Sequence, residues 1–146
     1  MCPSRGAMRL RVDHIAIACR DVERMREWYE RVLGFRVVFC KPPSQEPPRA
    51  GEQATYLAGP EGSYVTLELM PFDGEAAPGR KIFTMGISHI AFTVDDISSE
   101  EARLTSLGVA WLGDRAAATG GGSVRSFLDL EGNILQLVER PRSWRQ

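Results

Sequence analysis

Long apolar runs are missing from this sequence. Nothing approaches the roughly 20 residues of a membrane-spanning helix, and the opening MCPSRGAMRL has no apolar stretch of signal-peptide length. Cysteine is scarce as well. Cys2, Cys19 and Cys40 are odd in number, widely spaced and form no C-x-x-C pair. That excludes a disulfide scaffold and points to a reducing compartment, the cytoplasm. Neither sign of charge prevails: 18 basic and 19 acidic residues leave a formal net charge of -1. The chain therefore lacks the electrostatic footprint of a nucleic-acid binder. Histidine occurs only twice, at positions 14 and 89.

What remains is an ordinary globular composition, 43% hydrophobic and 25% charged over 146 residues. It suits one domain, or two small halves sharing a core. The chain repeats itself. RVDHIAIACRDVERMREWYERVLGFRVV and GISHIAFTVDDISSEEARLTSLGVAWL each run from a β-like His-Ile-Ala through aspartates and a helical stretch to Leu-Gly and another apolar run. His14 to His89 is a shift of 75, and Gly34 to Gly108 a shift of 74. A near-constant offset over a whole supersecondary unit indicates duplication.

Local signals agree. Val22, Met25, Tyr29, Val32 and Leu33 recur at helical spacing, predicting an amphipathic helix over 21–33 with Asp21 as N-cap and Gly34 as the left-handed C′ residue. Asp95 or Asp96 and Gly108 bracket a second helix, whose stripe of Ile97, Leu104 and Leu107 is thinner. Residues 53–59 and 63–70 read as strands around Gly59-Pro60-Glu61-Gly62, and 123–129 and 133–139 as strands around Asp129-Leu130-Glu131-Gly132-Asn133. The order is β-α-β-β-β twice, an α+β fold of two tandem modules whose mixed sheets curve around a cleft. One domain spans 9–140: module one over 9–70, a linker over 71–85 and module two over 86–140. The proline-rich 41–52 is expected to be an extended loop, and 113–123, with three consecutive glycines, a mobile lid.

Both opening strands are apolar at nearly every position, so burial on both faces is expected, with one imidazole in each. Each closing strand sets one polar side chain in an apolar run: Glu68 in YVTLELM and Gln136 in NILQLVE. A carboxylate between Leu67 and Leu69 is costly in a dry core unless something neutralises it. If the halves share a cleft, His14, Glu68, His89 and Gln136 converge there. Two imidazoles, one carboxylate and one amide oxygen suit a divalent cation of intermediate softness, with positions left open for substrate.

The stretches VDHIAIACRDVERMREWYERVLGF, YVTLELMP, GISHIAFTVDDI and DLEGNILQLVER resemble the recurring motifs of the vicinal oxygen chelate superfamily. That superfamily contains glyoxalase I, methylmalonyl-CoA epimerase, extradiol dioxygenases and the fosfomycin- and bleomycin-resistance proteins. The resemblance covers about residues 10–140. It implies metal ligands at His14, Glu68, His89 and Gln136, the last standing where relatives usually carry Glu. Glu139, three residues on, lies on the opposite strand face and is not that ligand. The resemblance further implies one divalent metal ion (Ni, Co, Mn, Zn or Fe), a small-molecule substrate and a homodimer. Glyoxalase- and epimerase-like members remove a proton beside a metal-bound carbonyl, which assigns the base to Glu68, the one carboxylate of the quartet. Two other classes stay open: an Fe(II)-dependent dioxygenase and a non-catalytic drug-binding protein. For substrate contacts, Arg36, Arg80, Lys81 and Arg125 are candidate anion partners, and Tyr56, Phe72 and Trp111 candidate cleft walls.

Overall fold

The structure is a computed structural model that describes residues 11–43, 45, 53–61, 63–75, 79 and 81–144. Cys2, Gly62, Arg80, the first ten residues and most of the proline-rich loop lie outside the described residues. Module one comprises β1 (Ile15–Cys19), α1 (Val22–Leu33), β2 (Arg36–Cys40), β3 (Thr55–Ala58) and β4 (Thr66–Pro71). Module two comprises β5 (Ile90–Thr93), α2 (Ile97–Ser106), β6 (Ala110–Ala117), β7 (Ser123–Leu128) and β8 (Ile134–Glu139). Each builds a four-stranded sheet, in the orders β1-β4-β3-β2 and β5-β8-β7-β6. In each the opening strand pairs parallel to the closing one and the other neighbours are antiparallel. The two modules of the α+β fold are thus built alike.

The helices form where their caps predict. Asp21 accepts a hydrogen bond from the Arg24 amide, and Gly34, at φ 71°, returns its own amide to Glu30 and Tyr29 carbonyls. Met25, Trp28, Tyr29 and Val32 are the buried stripe of α1. Asp96 caps α2 through the Ser98 and Ser99 amides, and only Ile97 and Leu104 of that helix are buried. The thinner stripe of the sequence is a thinner interface.

Two expectations change. The first concerns β1 and β5, which are not buried on both faces. Ile15, Ile17 and Cys19 turn towards the core, whereas Ala16 and Ala18 are exposed; Ala91 and Thr93 of β5 are exposed likewise. Each sheet has its helix on one side only, and alanine leaves little apolar surface on the other. The second concerns 113–123, which is not a lid. Residues up to Ala117 belong to β6, with a register shift between Leu112 and Ala116. The glycines that follow make a fixed turn: Gly120, Gly121 and Gly122 have φ of 85°, 102° and 88°. A Cβ on Gly122 would lie 1.9 Å from the Glu139 carbonyl oxygen. Arg140 donates to the Thr119 and Gly121 carbonyls at 2.6 and 3.1 Å. Glycine serves here to satisfy left-handed backbone and close approach, not mobility.

One apolar core joins the modules. It runs from Met25, Tyr29, Val32, Leu57, Leu67 and Leu69 to Leu104, Phe127, Leu135 and Leu137. Phe35 meets Phe92 edge-on at 6.0 Å across the junction. Among the described residues, the hydrogen bonds across the junction gather on α1 and the residues that lead into it. Glu131 accepts the Arg20 and Asp21 amides at 2.9 and 3.0 Å, where α1 begins. Arg103 donates to the Val32 carbonyl at 2.8 Å, where α1 ends. Both charges complement the helix dipole, acid at the N-terminus and base at the C-terminus. Between them the buried Tyr29 hydroxyl donates to Asp129 at 2.9 Å. Asp129 also accepts from the Asn133 side chain and from the Glu131 and Asn133 amides. The acids of the D-L-E-G-N turn thus reach across to the other module.

Burial raises the Asp129 carboxyl above its ordinary value of 3.8, against the pull of Asn133 and Tyr29. A raised folded-state pKa means the folded protein holds that proton more tightly than the unfolded chain. Stability from this group is therefore greatest below 3.8 and declines as pH rises through the raised pKa. Tyr29→Phe removes one donor from the ionised carboxylate. The expected loss at pH 7 is about 1–3 kcal/mol, shrinking as Asp129 becomes protonated in acid. Urea unfolding of both proteins across this range checks it; a pH-independent difference would mean that lost packing, not the bond to the anion, is responsible.

Candidate metal centre

The pairing registers of the two modules match residue for residue. Ile15 stands opposite Leu67 and Ala16 opposite Glu68; Ile90 stands opposite Leu135 and Ala91 opposite Gln136. His14 and His89 each come one residue before their strand. Alternation then places His14 with Glu68, and His89 with Gln136, on the sheet face turned away from the helix. The cross-strand neighbours are equivalent too: Tyr56 opposes Glu68 and Ser126 opposes Gln136.

In module one this brings a compact set together. His14 Nε2 lies 3.3 Å from Glu68 Oε2, and Nδ1 lies 2.8 Å from Asp13 Oδ2. The Tyr56 ring meets the imidazole edge-on at 5.6 Å. A hydrogen bond to Glu68 pushes the Tyr56 phenol above its ordinary pKa. The hydrogen bond to Asp13 is the main cause of a raised pKa at His14, with the charge of Glu68 adding to it. Glu68 has only 15% of its side chain exposed, so this carboxylate depends on its imidazole and phenol neighbours for compensation.

Module two holds the matching pair. Ser88 Oγ donates to the Ile82 carbonyl at 2.5 Å and lies 2.8 Å from His89 Nδ1. A hydroxyl has one proton, so the contact to the ring is made by an Nδ1–H donor. His89 Nε2 is left with its lone pair free. Asp13 imposes the same tautomer on neutral His14, since a carboxylate only accepts. Gln136 donates Nε2 to Ser126 Oγ at 3.0 Å, which leaves the amide oxygen as its free donor atom. Two Nε2 lone pairs, one carboxylate and one amide oxygen are a donor set that fits a divalent ion, with the outer hydrogen bonds such ligands require.

Among the described residues, His14, Glu68 and His89 do not gather into one cluster within the chain. Glu68 and Gln136 lie opposite strand residues (Leu67 and Leu69, Leu135 and Leu137) that all point into the one shared core. Glu68 and Gln136 therefore lie on the faces turned away from that core, where Gln136 and its neighbours Ile134 and Val138 are nevertheless buried. Among the described residues, no three His, Cys, Asp or Glu side chains stand close enough to hold an ion. The chain presents two His–Glx pairs, one on each sheet.

Residues considered for substrate contact divide similarly. Arg125 lies 4.2 Å over the Trp111 ring and pairs with Glu101, beneath α2 and away from Gln136. The Trp111 indole donates to Thr105 at 3.0 Å, and Phe72 is covered by Arg20. These three are packing residues. Tyr56 alone of the predicted walls borders the His14–Glu68 pair, whereas Lys41, which sequence reasoning passed over, lines the adjoining cleft with Val38, Phe39 and Thr66.

The profile of the Glyoxalase/Bleomycin resistance protein/Dioxygenase superfamily matches residues 11–137. The chain belongs to this superfamily. The uncharacterised protein YwkD of Bacillus subtilis is 30% identical over 131 residues, 88% of this chain and 96% of YwkD. Among solved structures, TnmS3, an antibiotic binding protein from Streptomyces sp. CB03234, superposes with a TM-score of 0.69 at 22% identity, over 94% of this chain and all of that one. The fosfomycin resistance protein FosX from Listeria monocytogenes, solved with Mn(II) and a dihydroxypropylphosphonic acid, superposes at 0.66 with 15% identity, over 92% and 94% of the two chains. At these identities the likeness establishes the fold.

The tautomers are measurable without any metal. At pH 9, nitrogen-detected NMR of the imidazoles should show both rings in the Nδ1–H form. Ser88→Ala should move His89 towards the Nε2–H form that free histidine prefers, leaving His14 unchanged. An Nε2–H form of His89 in the parent would contradict the donor set derived above.

Proposed function

We propose that the protein is a metal-dependent lyase or isomerase of the glyoxalase type, active as a homodimer. In this reading His14 and Glu68 of one subunit, with His89 and Gln136 of the other, hold one divalent ion (Ni, Co, Mn, Zn or Fe). The matched register supports it most directly: each module sets a His–Glx pair on the sheet face turned away from the shared core. A two-fold dimer brings module one of each subunit to module two of its partner.

When bound, the ion supplies Lewis acidity towards a substrate carbonyl oxygen. The chain supplies the proton chemistry. Glu68 is the group able to accept a proton from the carbon beside that carbonyl. Tyr56 can donate a hydrogen bond to its carboxylate without competing for the proton, whereas His14, its Nε2 lone pair given to the ion in this reading, cannot. Gln136 contributes an oxygen donor and cannot act as a base. Proton removal is therefore confined to one face of the substrate.

The site's division between subunits has a quantitative consequence. His14→Ala and His89→Ala, each purified alone, should lose most of their bound divalent metal, and Gln136→Ala less. Co-expressed, the two histidine variants should form mixed dimers with one intact site each, restoring about a quarter of the parent's sites if chains pair at random. Metal content by mass spectrometry decides. No recovery in the mixture would refute the shared site, and unchanged content in the single variants would refute metal binding at these residues.

The base is tested by α-proton exchange in deuterated water over a panel of thiohemiacetals and acyl thioesters. Glu68→Gln should keep some metal, because the amide retains an oxygen donor, and lose exchange altogether. Exchange at the parental rate on any accepted substrate would exclude Glu68. A parent that exchanges none of the panel would favour the other members of the superfamily, an Fe(II) dioxygenase if iron is bound and a drug binder if no metal is.

A further inference from the structure

Beside the Glu68 half-site, the open face of the first sheet forms a cleft of about 510 Å³ walled by Val38, Phe39, Lys41, Tyr56 and Thr66. Its apolar wall arises from an irregularity in β2. The pairing with β3 slips between Val37 and Phe39, so two consecutive apolar side chains reach this side and stay 53% and 55% exposed. Such bulges recur where a strand re-aims a side chain beside a site. Phe39 and Tyr56 stand 6.0 Å apart with planes inclined by 57°, an open aromatic corner. The cleft is also polarised. Asp13 and Glu68 lie at the β1–β4 end; Lys41 lies past β2, two strands away from Glu68, or about 10 Å at the usual strand spacing. Tyr56, on β3, is the midpoint and belongs to both.

We propose that this cleft is the subsite for the non-reacting part of the substrate, and that it takes a small carboxylic acid bearing an aryl or branched apolar group. The apolar group fills the Val38–Phe39–Tyr56 corner. The acid is drawn to Lys41 and repelled by Asp13 and Glu68, which turns the remaining end towards Glu68. Of the superfamily's varied ligands, neutral polar compounds and organic cations fit this arrangement poorly. The first leaves the aromatic corner empty, and the second meets Lys41. The inference deepens the function proposed above and rests on it only for where the reacting end lies.

The test uses three probes that carry no reactive carbonyl next to an acidic C–H, titrated calorimetrically into full-length protein with a chelator present: 3-phenylpropanoate, its neutral amide, and propanoate. The phenyl acid should bind about tenfold or more tighter than either partner probe, since each lacks one of two recognised groups. Phe39→Ala should erase the preference over propanoate while keeping that of acid over amide. Lys41→Gln should do the reverse. Both residues are exposed, and circular dichroism verifies that the variants fold. Equal affinity for the three probes, no detectable binding of the phenyl acid, or preferences that survive both substitutions would overturn the subsite. With metal removed, the result is independent of the metal centre. Metal bound without the preference would leave the proposed enzyme and discard the subsite. The preference without metal would leave a binding pocket and discard the enzyme.

Discussion

The position of α1 decides what this chain can present to a ligand. One helix of module one is held along its length by module two: Glu131 at the Arg20 and Asp21 amides just ahead of its first turn, Asp129 on Tyr29 at its centre and Arg103 on its last turn. An acid at the N-terminus and a base at the C-terminus each act with the helix dipole, so the clamp has a polarity as well as a position. It sets the helix-bearing sides of both sheets around one core. The opposite faces, which carry His14 with Glu68 and His89 with Gln136, are thereby turned away from that core. A looser junction would let the modules settle in other relative poses, and the open faces would no longer offer a partner a fixed surface.

In the proposed reading, that geometry makes duplication chemically useful. A single module supplies one imidazole and one oxygen donor, too few to hold an ion of this type alone. Two copies of the register supply a full set, provided two chains meet. Each imidazole arrives with Nδ1 engaged by a neighbour one residue earlier, Asp13 or Ser88, so the tautomer is fixed by the adjacent residue in sequence. In the proposed reading the outer shell is as much duplicated as the ligands themselves.

Much of this was legible in the chain. The offset of 75 between the histidines corresponds to an identical strand register, the caps Asp21 and Gly34 act where they were placed, and of Asp95 and Asp96 it is Asp96 that caps α2. Periodicity and capping are local, so sequence carries them. What was illegible is non-local or depends on backbone sign. The glycines of 120–122 suggested mobility by composition, yet each has a positive φ and little room for a side chain. The D-L-E-G-N segment suggested only a turn, while two of its acids bind across 110 and 100 residues to α1. Lys41 and Phe39 gave no periodic signal at all. Their significance depends on a slip in pairing between two strands, which no spacing rule reports.

The two half-sites have diverged, and they have done so in matched pairs. Across the β3–β4 ladder a phenol faces a carboxylate, Tyr56 with Glu68; across β7–β8 a hydroxyl faces an amide, Ser126 with Gln136. A phenol can only donate to a carboxylate, leaving the second carboxylate oxygen for an imidazole, a metal or a proton. A serine hydroxyl accepts from the amide nitrogen, which pins the amide with its oxygen outward. Exchanging Glu and Gln between modules would therefore disturb the neighbour each was fitted to, as well as the donor itself. In the proposed reading the pairing lets one half serve proton transfer while the other supplies a neutral ligand. The apolar cleft also opens beside the Tyr56 half, so in the proposed reading substrate recognition and the one carboxylate of the quartet lie on the same module. The second module then need contribute only His89 and an oxygen that never changes its protonation state.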